Sequence, residues 1–458
     1  MNIFIHVEVA ARELRAKLAL AILSAQKGNT VFLGNLPSLD SLTESQLLQP
    51  GIFHNKGVVP NREGVALRHK SLRRKNFRIT AQDEESGLLS ESYDAFSNSR
   101  FSKSTLGDVE YLFCWGDHDF EALSAKFPQY SNKLRRTGSP RVDFWFPNVE
   151  FPGNGLPRGI KRKKYILFSS NFSVNSVTPH WFHFRARIRD GEAEKDPEFS
   201  KHFFESRAEQ YMLIRKLSET LPKVAERYPE HKLLVRPHPT EDQAAWAYML
   251  EECPEILVTK TGQIEELVHS ASAVIHNGCT TGIEGIFGNV PVIAYRPQAN
   301  LQYEREIPNM LSAEAFSEVE LFKLLDDALS EPWKFDQHYS EQRQRHYIQQ
   351  RFCNEGNFSA SRAIANAWQE LEQCFQEQKK IPTIRIRALM KIKKWRHELS
   401  SRVVRRSIRY GRVEKFPSLS DQTIQKEVGW LSKRLDAPLP RVTRLDDRLL
   451  MIRHPKSC

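Results

Sequence analysis

Two short apolar runs in the second half of the chain constrain its fold more than any other feature. One run, Leu233 to Val235, stops at Arg236 to Pro239, and the other, Ala273 to Ile275, stops at His276 to Gly282. Apolar runs that end abruptly in polar residues are typical of buried parallel strands, whose carboxyl ends open into a ligand crevice. The sequence therefore predicts a parallel α/β sheet with two polar strand ends at one edge.

The second of these strand ends has the composition of a phosphate loop. Gly278 and Gly282 bracket the hydroxyls of Thr280 and Thr281, and a helix is predicted to begin at Ile283. Backbone amides, hydroxyl groups and the positive end of a helix dipole together favour a bound phosphate. A simple N-capped helix after a strand fits the same residues, and this segment alone does not separate the two interpretations.

The first strand end supplies a second group of donors. Arg236 and His238 precede the loop by about 40 residues, a separation that suits the next unit of such a sheet. Two donor-rich strand ends in one sheet would face one crevice. A diphosphate or a nucleoside monophosphate is the simplest ligand that fits.

The composition is that of a soluble globular protein. With 458 residues, of which 40% are hydrophobic and 27% charged, the chain is long enough for two or three domains. It has no run of 18 or more apolar residues that would predict a transmembrane helix. Because the short first strand lacks a basic leader and a cleavage site, no signal peptide is predicted and a cytoplasmic protein is expected.

The sequence predicts neither a metal site nor a cysteine nucleophile. The six cysteines are scattered without metal-ligand spacing, which favours a reducing compartment and no structural zinc. Cys279 lies in the phosphate loop, but no general base accompanies it, so a small loop residue is the favoured interpretation. The run Asp117 to Asp119 looks like a set of metal ligands, but consecutive residues rarely converge on one ion, and an N-cap explains Asp117.

The order of the predicted elements gives two domains of similar size. Asn2 to Val7, Arg12 to Gln26 and Thr30 to Leu33 form a βαβ opening, and the Pro- and Gly-rich stretch from Phe146 to Lys164 is the best linker. We therefore predict the α/β layout called GT-B, in which two Rossmann-like domains, residues 1–150 and 160–376, face a central cleft. A basic helical C-terminal tail is predicted at residues 377–458.

Acidic residues follow two predicted strands of the first domain. Glu8 lies in the loop after the first strand, and Asp83, Glu84 and Glu85 follow a strand predicted at Phe77 to Thr80. Acids at strand ends are candidates for a general base, although a solvated acidic turn explains them as well.

The positive charge of the chain is concentrated in the predicted tail. Between Lys379 and Lys415 fourteen Lys or Arg residues face two Glu, a net charge of +12, and since the whole chain carries +11, the rest carries −1. Ile, Leu, Met and Trp395 are interleaved with these cations. Nucleic acid, anionic lipid and an acidic partner would all complement such a segment.

With these residues located, the chain resembles the bacterial surface-carbohydrate (capsule and O-antigen) biosynthesis proteins of the GT-B superfamily. This set includes capsule Kdo transferases, polysialyltransferases and CDP-glycerol glycerophosphotransferases, and the resemblance covers about residues 2–370. Its specific motifs are Arg236 to Pro239 and His276 to Glu284. The shorter motifs are Ala11 to Leu14, Asp83 to Glu85, Thr137 to Arg141 with Asp143, and Asn171-Phe172. Ser86 separates the acids from Gly87, where the family pattern has Gly directly, and this leaves open which acid faces the cleft.

The resemblance implies a glycosyltransferase. It would move a sugar from a nucleotide-activated donor, with CMP- and CDP-type donors favoured, to a growing surface polysaccharide or lipid-linked acceptor. The residues expected to contact the donor phosphate are Arg236, His238, Asn277, Gly278, Thr280, Thr281 and Gly282. Glu284 is expected to hold the donor ribose. Glu85, and next Glu8, would accept the proton of the acceptor hydroxyl, and protein donors in place of a metal would stabilise the departing phosphate.

Two other functions remain open at this stage. A nucleotide-sugar 2-epimerase shares the two-domain layout and needs no acceptor. A catalytically silent GT-B-like scaffold would bind no nucleotide and would use its tail to dock at a polysaccharide assembly. Given a lipid-linked acceptor, we expect residues 379–415 to bind the anionic cytoplasmic face of the bacterial inner membrane, and we expect no nucleic acid partner.

Overall fold

The chain folds into two compact α/β units. The computed structural model describes residues 1–456 except 46, 60–62, 86–92, 154, 178–179, 190, 301–305, 331–332, 334–340, 376–380, 404–417 and 419. Met1–Gly87, Ser92–Phe144 and Ile348–Cys458 form the first unit, and Trp145–Tyr347 forms the body of the second. The first unit is therefore built from both ends of the chain.

The first unit is organised around an eight-stranded sheet. Its strands are β1 (Asn2–His6), β2 (Thr30–Gly34), β3 (Ile52–Asn55), β4 (Arg78–Gln82), β5 (Tyr111–Cys114), β6 (Leu134–Arg136), β13 (Arg441–Asp446) and β14 (Leu449–Arg453). Their order is β13-β14-β2-β1-β3-β4-β5-β6. Strands β1 to β6 are parallel, and β13 and β14 join the edge at β2 as an antiparallel pair.

Helices cover this sheet. They are α1 (Ala10–Gln26), α2 (Leu36–Glu44), α3 (Glu63–Arg74), α4 (Tyr93–Arg100), α5 (Lys103–Asp108) and α6 (Asp117–Lys126), followed late in the chain by Ser359–Glu370, Thr383–Val403 and Asp421–Arg434. The first of these is rich in Ala and Leu, which have high helix propensity, and its apolar residues are buried together with Glu13, Arg15 and Lys17. A helix with so little exposed surface lies in the interior of the unit.

The end of the chain belongs to the first unit, unlike the predicted tail at 377–458. The apolar run Leu449 to Ile452 pairs with β2, with Leu449 opposite Gly34. The helix Asp421–Arg434, called the C-terminal helix below, contributes Glu427, which accepts two hydrogen bonds from the buried guanidinium of Arg15 at 2.8 and 2.9 Å. These residues complete a sheet edge and neutralise a buried cation, and therefore they are part of the core fold.

Residues 348–376, predicted as part of the second domain, also lie in the first unit. The helix Ser359–Glu370, called the capped helix below, starts at the carboxylate of Asp143, which accepts hydrogen bonds from the amides of Ala360 and Ser361 at 3.2 and 2.9 Å. Asn354 donates to Asp143 at 2.8 Å and to the carbonyl of Ser139 at 2.9 Å. Burial raises the pKa of Asp143 to about 6. In this structure Asp143, from the short motif noted above, caps a helix.

The second unit contains a six-stranded parallel sheet. Its strands are β7 (Tyr165–Ser169), β8 (Lys232–Arg236), β9 (Leu257–Val258), β10 (Ala273–His276), β11 (Val292–Tyr295) and β12 (Ala313–Ala315), in the order β12-β11-β10-β7-β8-β9. Its helices are α7 (His180–Arg189), α8 (Glu192–Lys195), α9 (Phe199–Arg227), α10 (Gln243–Met249), α11 (Ile264–Ser270), α12 (Thr281–Phe287), α13 (Glu306–Met310) and α14 (Glu318–Leu329). Numbered within the unit, the strands run 6-5-4-1-2-3, the common Rossmann order.

The two parallel sheets confirm the predicted α/β class with two Rossmann-like halves. The strands within each sheet do not test the cleft predicted between the two halves, and the cleft stays a prediction. One expectation about a helix start is wrong: the carboxylate of Asp119, not that of Asp117, accepts the amides of Trp115 and Gly116 at 2.9 and 3.2 Å. Asp117 instead pairs with Arg136.

The sequence also predicts helices over about residues 313–330 and 338–376, and the structure differs in both segments. The helix predicted at about 313–330 begins at Glu318, because Ala313–Ala315 pairs with β11. The helix predicted at 338–376 is divided into Glu341–Arg351 and the capped helix, and Phe358 between them has a φ of +58°, which a helix does not accommodate. No helix among the described residues is both long and apolar enough to span a membrane.

Candidate functional site

The second sheet has a topological switch point between β7 and β10. From β7 the chain proceeds to β8 and β9 on one side, and then crosses to β10 and β11 on the other. Both strands are parallel, with Ser169 opposite His276 at their carboxyl ends. In open α/β sheets the chain leaves the two strands at such a point in opposite directions, and ligands bind in the crevice that this creates. The predicted phosphate loop follows β10 directly and so lies at this point.

Thr280 has the most accessible donors of the loop. Its side chain is partly exposed, and among the described residues its hydroxyl has no hydrogen-bond partner. The backbone bonds of α12 begin with Gly282 donating to Cys279, so the amides of Thr280 and Thr281 donate to no described backbone carbonyl. The helix starts at Thr281, two residues earlier than predicted. Thr280 therefore combines a hydroxyl and an amide at the mouth of the switch point.

Other predicted loop donors are engaged in holding the loop. The amide of Gly278 donates to Asn309 Oδ1 at 2.7 Å, and Asn277 Nδ2 donates to the carbonyl of Tyr295 at 2.8 Å. The hydroxyl of Thr281 is buried and accepts from Ser169 at 3.2 Å. These contacts tie the loop to β7 and β11 and to α13, and this fixes its backbone.

Gly282 allows the closest approach in the site. A Cβ atom at this position would lie 2.4 Å from Nε2 of the fully buried His276. That ring is itself fixed, because Nε2 lies 2.9 Å from Ser312 Oγ, and burial lowers its pKa to about 3. The second glycine of the motif is therefore needed so that α12 can pack against the end of β10.

Arg236 lies at the end of β8, and its guanidinium is directed at backbone carbonyls of the second unit. Its Nη1 donates to the carbonyl of Thr261 at 2.5 Å and its Nη2 to that of Gly262 at 3.0 Å. Burial lowers its pKa to about 10, although Glu265 and Glu284 partly offset this effect. The guanidinium stays charged at neutral pH, and it adds positive potential to the strand end while it positions the loop after β9.

His238 follows in the loop after β8 with a defined tautomer. Its Nδ1 accepts the amide of Thr240 at 3.3 Å and lies 2.8 Å from the Thr240 hydroxyl. In the neutral ring this arrangement places the proton on Nε2, which makes that nitrogen a donor. Glu241, three residues on, is fully buried and accepts from Ser170 Oγ, from the amide of Phe172 and from Trp246 Nε1 at 2.5, 2.6 and 2.8 Å. This carboxylate anchors the loops after β7 and β8 to each other.

Glu284 lies inside the second unit. Its side chain is 2% exposed, and its charge raises the pKa of Arg236. The charge of Glu284 therefore partly offsets the effect of burial on Arg236, and the convergence of the two strand ends on one phosphate stays a prediction. The ribose contact expected of Glu284 stays a prediction.

The first sheet has its own switch point, between β1 and β3, and a set of ion pairs lies there. We call this set the ionic cluster; its members are Glu8, Arg12, Glu13, Lys17, Lys56, Asp83, Glu84, Glu85 and Arg100. Lys56, which directly follows β3, lies 2.7 Å from Glu8 and 3.2 Å from the fully buried Glu13. Burial alone would raise the pKa of Glu13, but Lys56, Lys17 and Arg12 outweigh it and hold that pKa below its ordinary value.

The three consecutive acids after β4 have different environments. Glu84 is 2% exposed and lies 2.7 Å from the buried Lys17, and this makes it an internal ion pair. Asp83 is 3% exposed and lies 3.4 Å from Arg100, and burial raises its pKa to about 6. Glu85 is 35% exposed and lies 3.1 Å from Arg100 and 3.7 Å from Arg12. Of the three carboxylates, Glu85 is the one that solvent reaches.

Sequence reasoning omitted several residues that build these two sites. Ser169 and Glu241 shape the second-unit loops, and Lys56 and Arg100 hold the acids of the first unit. Ser169 and Lys56 could have been found, since each directly follows or ends an apolar strand. Arg100 lies on α4 and gave no signal, because only the fold brings it to the end of β4.

Comparison with known proteins gives only distant similarity. No protein-family model and no curated protein sequence matches the chain. Among solved structures it is similar to UDP-GlcNAc 2-epimerase from Neisseria meningitidis bound to UDP-GlcNAc (13% identity, TM-score 0.46, 81% of this chain and 100% of that chain). It is also similar to the Methanocaldococcus jannaschii UDP-GlcNAc 2-epimerase in complex with UDP-GlcNAc and UDP (14%, 0.45, 81% and 100%). A third is the wall teichoic acid polymerase TagF (12%, 0.44, 71% and 73%). All three TM-scores lie below 0.5, and the fold is therefore assigned from the strands of this chain.

Proposed function

We propose that the protein is a glycosyltransferase that uses a nucleotide-activated donor in the synthesis of a surface polysaccharide. The observation that carries this proposal is the switch point between β7 and β10, where a hydroxyl- and amide-rich loop follows β10 and a donor histidine follows β8 on the other side of β7. A Rossmann sheet with this order binds its ligand at that point, and donors of this kind suit a diphosphate or phosphate ester.

The contacts suggest separate roles for the seven predicted phosphate residues. His238 Nε2, the hydroxyl and amide of Thr280 and the amide of Thr281 would contact the phosphate. Arg236, Asn277, Gly278 and Gly282 would hold the loops, and Arg236 would add charge stabilisation as the phosphate departs. The proposal keeps Glu284 for the donor ribose and expects CMP- or CDP-type donors and a glycan or lipid-linked glycan acceptor.

Glu85 is the proposed general base, with Glu8 next. Both carboxylates are partly exposed and ion-paired. An ion pair keeps a carboxylate deprotonated, so it can accept a proton, but it also makes the carboxylate a weaker base. A Glu85→Gln variant should lower kcat by roughly 100-fold or more and leave nucleotide affinity unchanged. A loss of nucleotide affinity equal to the loss of kcat would contradict this role.

Isothermal titration with CMP, CDP and UDP tests the phosphate site. His238→Ala and Thr280→Val should each weaken the best nucleotide roughly 10- to 100-fold, since each removes a hydrogen bond to a charged group. His231→Ala is the matched control, because His231 directly precedes the same strand, β8, and so lies at the amino end of the strand rather than at its carboxyl end. Unchanged affinity in the first two variants, or an equal loss in the control, would show that the phosphate assignment is wrong.

Turnover assays separate the alternatives. A transferase converts a nucleotide sugar only when an acceptor is present. Conversion to an epimeric nucleotide sugar without any acceptor would establish the 2-epimerase instead. If the protein binds no nucleotide and no activity depends on Glu85, the silent scaffold is the remaining alternative.

A further inference from the structure

The helix Thr383–Val403, called the basic helix below, is anchored to the first unit by one face. Ile386 and Met390 are buried in the hydrophobic core, and Ile381 and Leu389 are packed partly against it. Lys393 lies toward the same side, with Nζ 3.3 Å from Glu44 of α2. The first part of the predicted tail is therefore a fixed helix whose orientation is set by core packing.

The opposite face of the basic helix carries large apolar side chains that the described part of the chain leaves exposed. Ile384 is 75% exposed, Ile392 is 51% exposed and Trp395 is 61% exposed. Their spacing of eight and three residues places all three on one stripe of a helix. Three large exposed apolar side chains in one stripe are typical of an interaction surface.

Cations flank this stripe. Arg385, Arg387 and Lys391 are exposed, and no Asp or Glu occurs between Ile381 and Trp395. Arg387 is oriented by a hydrogen bond of 3.2 Å from Nε to the carbonyl of Arg444, an acceptor that does not neutralise its charge. The exposed face therefore combines an apolar centre with a positively charged border.

We propose that this face of the basic helix docks on the surface of an anionic phospholipid bilayer and lies in the plane of the interface. Lipid phosphates complement the cationic border, and the isoleucines and the tryptophan gain free energy by entering the acyl boundary. A nucleic acid would satisfy the cations equally well but would leave the aliphatic side chains against phosphate and water. The apolar stripe therefore favours lipid.

The anchoring of the helix gives the docking a fixed geometry. Because Ile386 and Met390 are held in the core, the helix presents Ile384, Ile392 and Trp395 in one orientation. Docking then orients the first unit with respect to the membrane, which a flexible basic tail would not do. This inference is independent of the proposed nucleotide site, since it needs neither a nucleotide nor catalysis.

Vesicle sedimentation with the full-length protein tests the proposal. Vesicles of phosphatidylglycerol mixed with phosphatidylcholine are compared with vesicles of phosphatidylcholine alone. Two triple variants are used, the charge variant Arg385→Gln/Arg387→Gln/Lys391→Gln and the apolar variant Ile384→Ser/Ile392→Ser/Trp395→Ser. The matched control is Trp181→Ser, which removes a similarly exposed tryptophan, 55% exposed, from α7 of the second unit.

The wild type should sediment with the anionic vesicles and remain in solution with the neutral ones. The charge variant should partition on the order of 100-fold more weakly, because each cation near an anionic surface contributes roughly a five-fold factor. The apolar variant should lose on the order of 10-fold or more, and the Trp181 variant should bind like the wild type. Since all six side chains are exposed, the melting temperature should not change.

Three results would overturn the inference. The first is equal partition of the wild type and the charge variant onto the anionic vesicles. The second is a loss of binding in Trp181→Ser as large as that in the apolar variant. The third is binding of the wild type to neutral vesicles that equals its binding to anionic vesicles. Binding to duplex DNA that depends on Arg385, Arg387 and Lys391, with no vesicle binding, would assign the face to nucleic acid and would equally overturn it.

Discussion

The ion pair between Arg15 and Glu427 gives the sharpest test of how the chain end contributes to the fold. The pair joins residues 412 positions apart, and its side chains are 0% and 7% exposed. The Arg15 guanidinium also lies 5.3 Å from the ring of Trp430 on the C-terminal helix. The perturbation is Glu427→Gln, which keeps the shape of the side chain and removes its charge.

The magnitude follows from burial. Loss of one partner of a buried pair leaves an uncompensated charge and costs about 3–5 kcal/mol. The pair of Arg78 and Glu110 in the same unit has the same closest distance, 2.8 Å, but its side chains are 43% and 33% exposed. An exposed pair contributes about 0.2–1 kcal/mol. Glu110→Gln is therefore a control that differs from the test mainly in exposure to water.

Urea denaturation followed by circular dichroism measures both variants. The transition of the first unit should move to lower urea by an amount that corresponds to several kcal/mol in Glu427→Gln, and by less than about 1 kcal/mol in Glu110→Gln. The double substitution Arg15→Met/Glu427→Leu should recover most of the loss, since it removes the buried charges together. Equal losses in the two single variants would refute the reasoning.

Two further predictions concern the packing of the phosphate loop and the effect of pH. Gly282→Ala should destabilise the second unit by about 1–3 kcal/mol, because the new Cβ would clash with the fixed ring of His276. In the same thermal melts Gly429→Ala should be neutral or stabilising, because its new Cβ has no heavy atom within 4 Å. The opposite ranking of the two variants would contradict this packing argument. In the first unit burial lowers the pKa of His6 and of His69 to about 4, so the unfolded chain binds protons below its ordinary pKa of about 6.5 while the folded unit does not. Each of these histidines therefore contributes a loss of stability as pH decreases from about 6.5 to 4, by roughly 1.4 kcal/mol per pH unit, whereas Asp83 and Asp143, whose pKa burial raises to about 6, act in the opposite direction. The urea midpoint of a His69→Gln variant should fall less with decreasing pH than that of the wild type, and equal pH dependence of the two proteins would contradict the assignment.

The strand ends of the second unit could be predicted from sequence because their signals are local. The runs Leu233 to Val235 and Ala273 to Ile275 are apolar, short and followed at once by polar residues, Arg236 and His276, and both runs are strands in the structure. Their positions on either side of β7 could not be predicted, since strand order depends on contacts that periodicity does not record. The same limit applies to Arg236, whose contacts with the carbonyls of Thr261 and Gly262 depend on the path of a later loop.

The strand β14 near the end of the chain is not predicted, because the positive charge of the surrounding residues outweighs its short apolar run. Leu449 to Ile452 is a run of four apolar residues that follows the turn at Asp447 and Arg448, and such a run is recognisable as a strand. Its neighbours are rich in Arg and Lys, and the sequence therefore predicts a basic tail over residues 377–458. Only the fold reveals that β2 offers an unpaired edge and that Arg15 needs a carboxylate.

The first unit of this protein cannot be completed until the segment that contains Glu427 and β14 has left the ribosome. Glu427 is synthesised 412 residues after Arg15, and this interval lasts about 20 to 80 s at usual elongation rates. The body of the second unit, Trp145–Tyr347, is one continuous segment and can fold during that interval, whereas the first unit still lacks Glu427 and the strand that covers the edge of β2. A nascent chain of this kind is exposed to edge-to-edge association during synthesis, and its yield in cells should depend on chaperones that bind the emerging amino-terminal half.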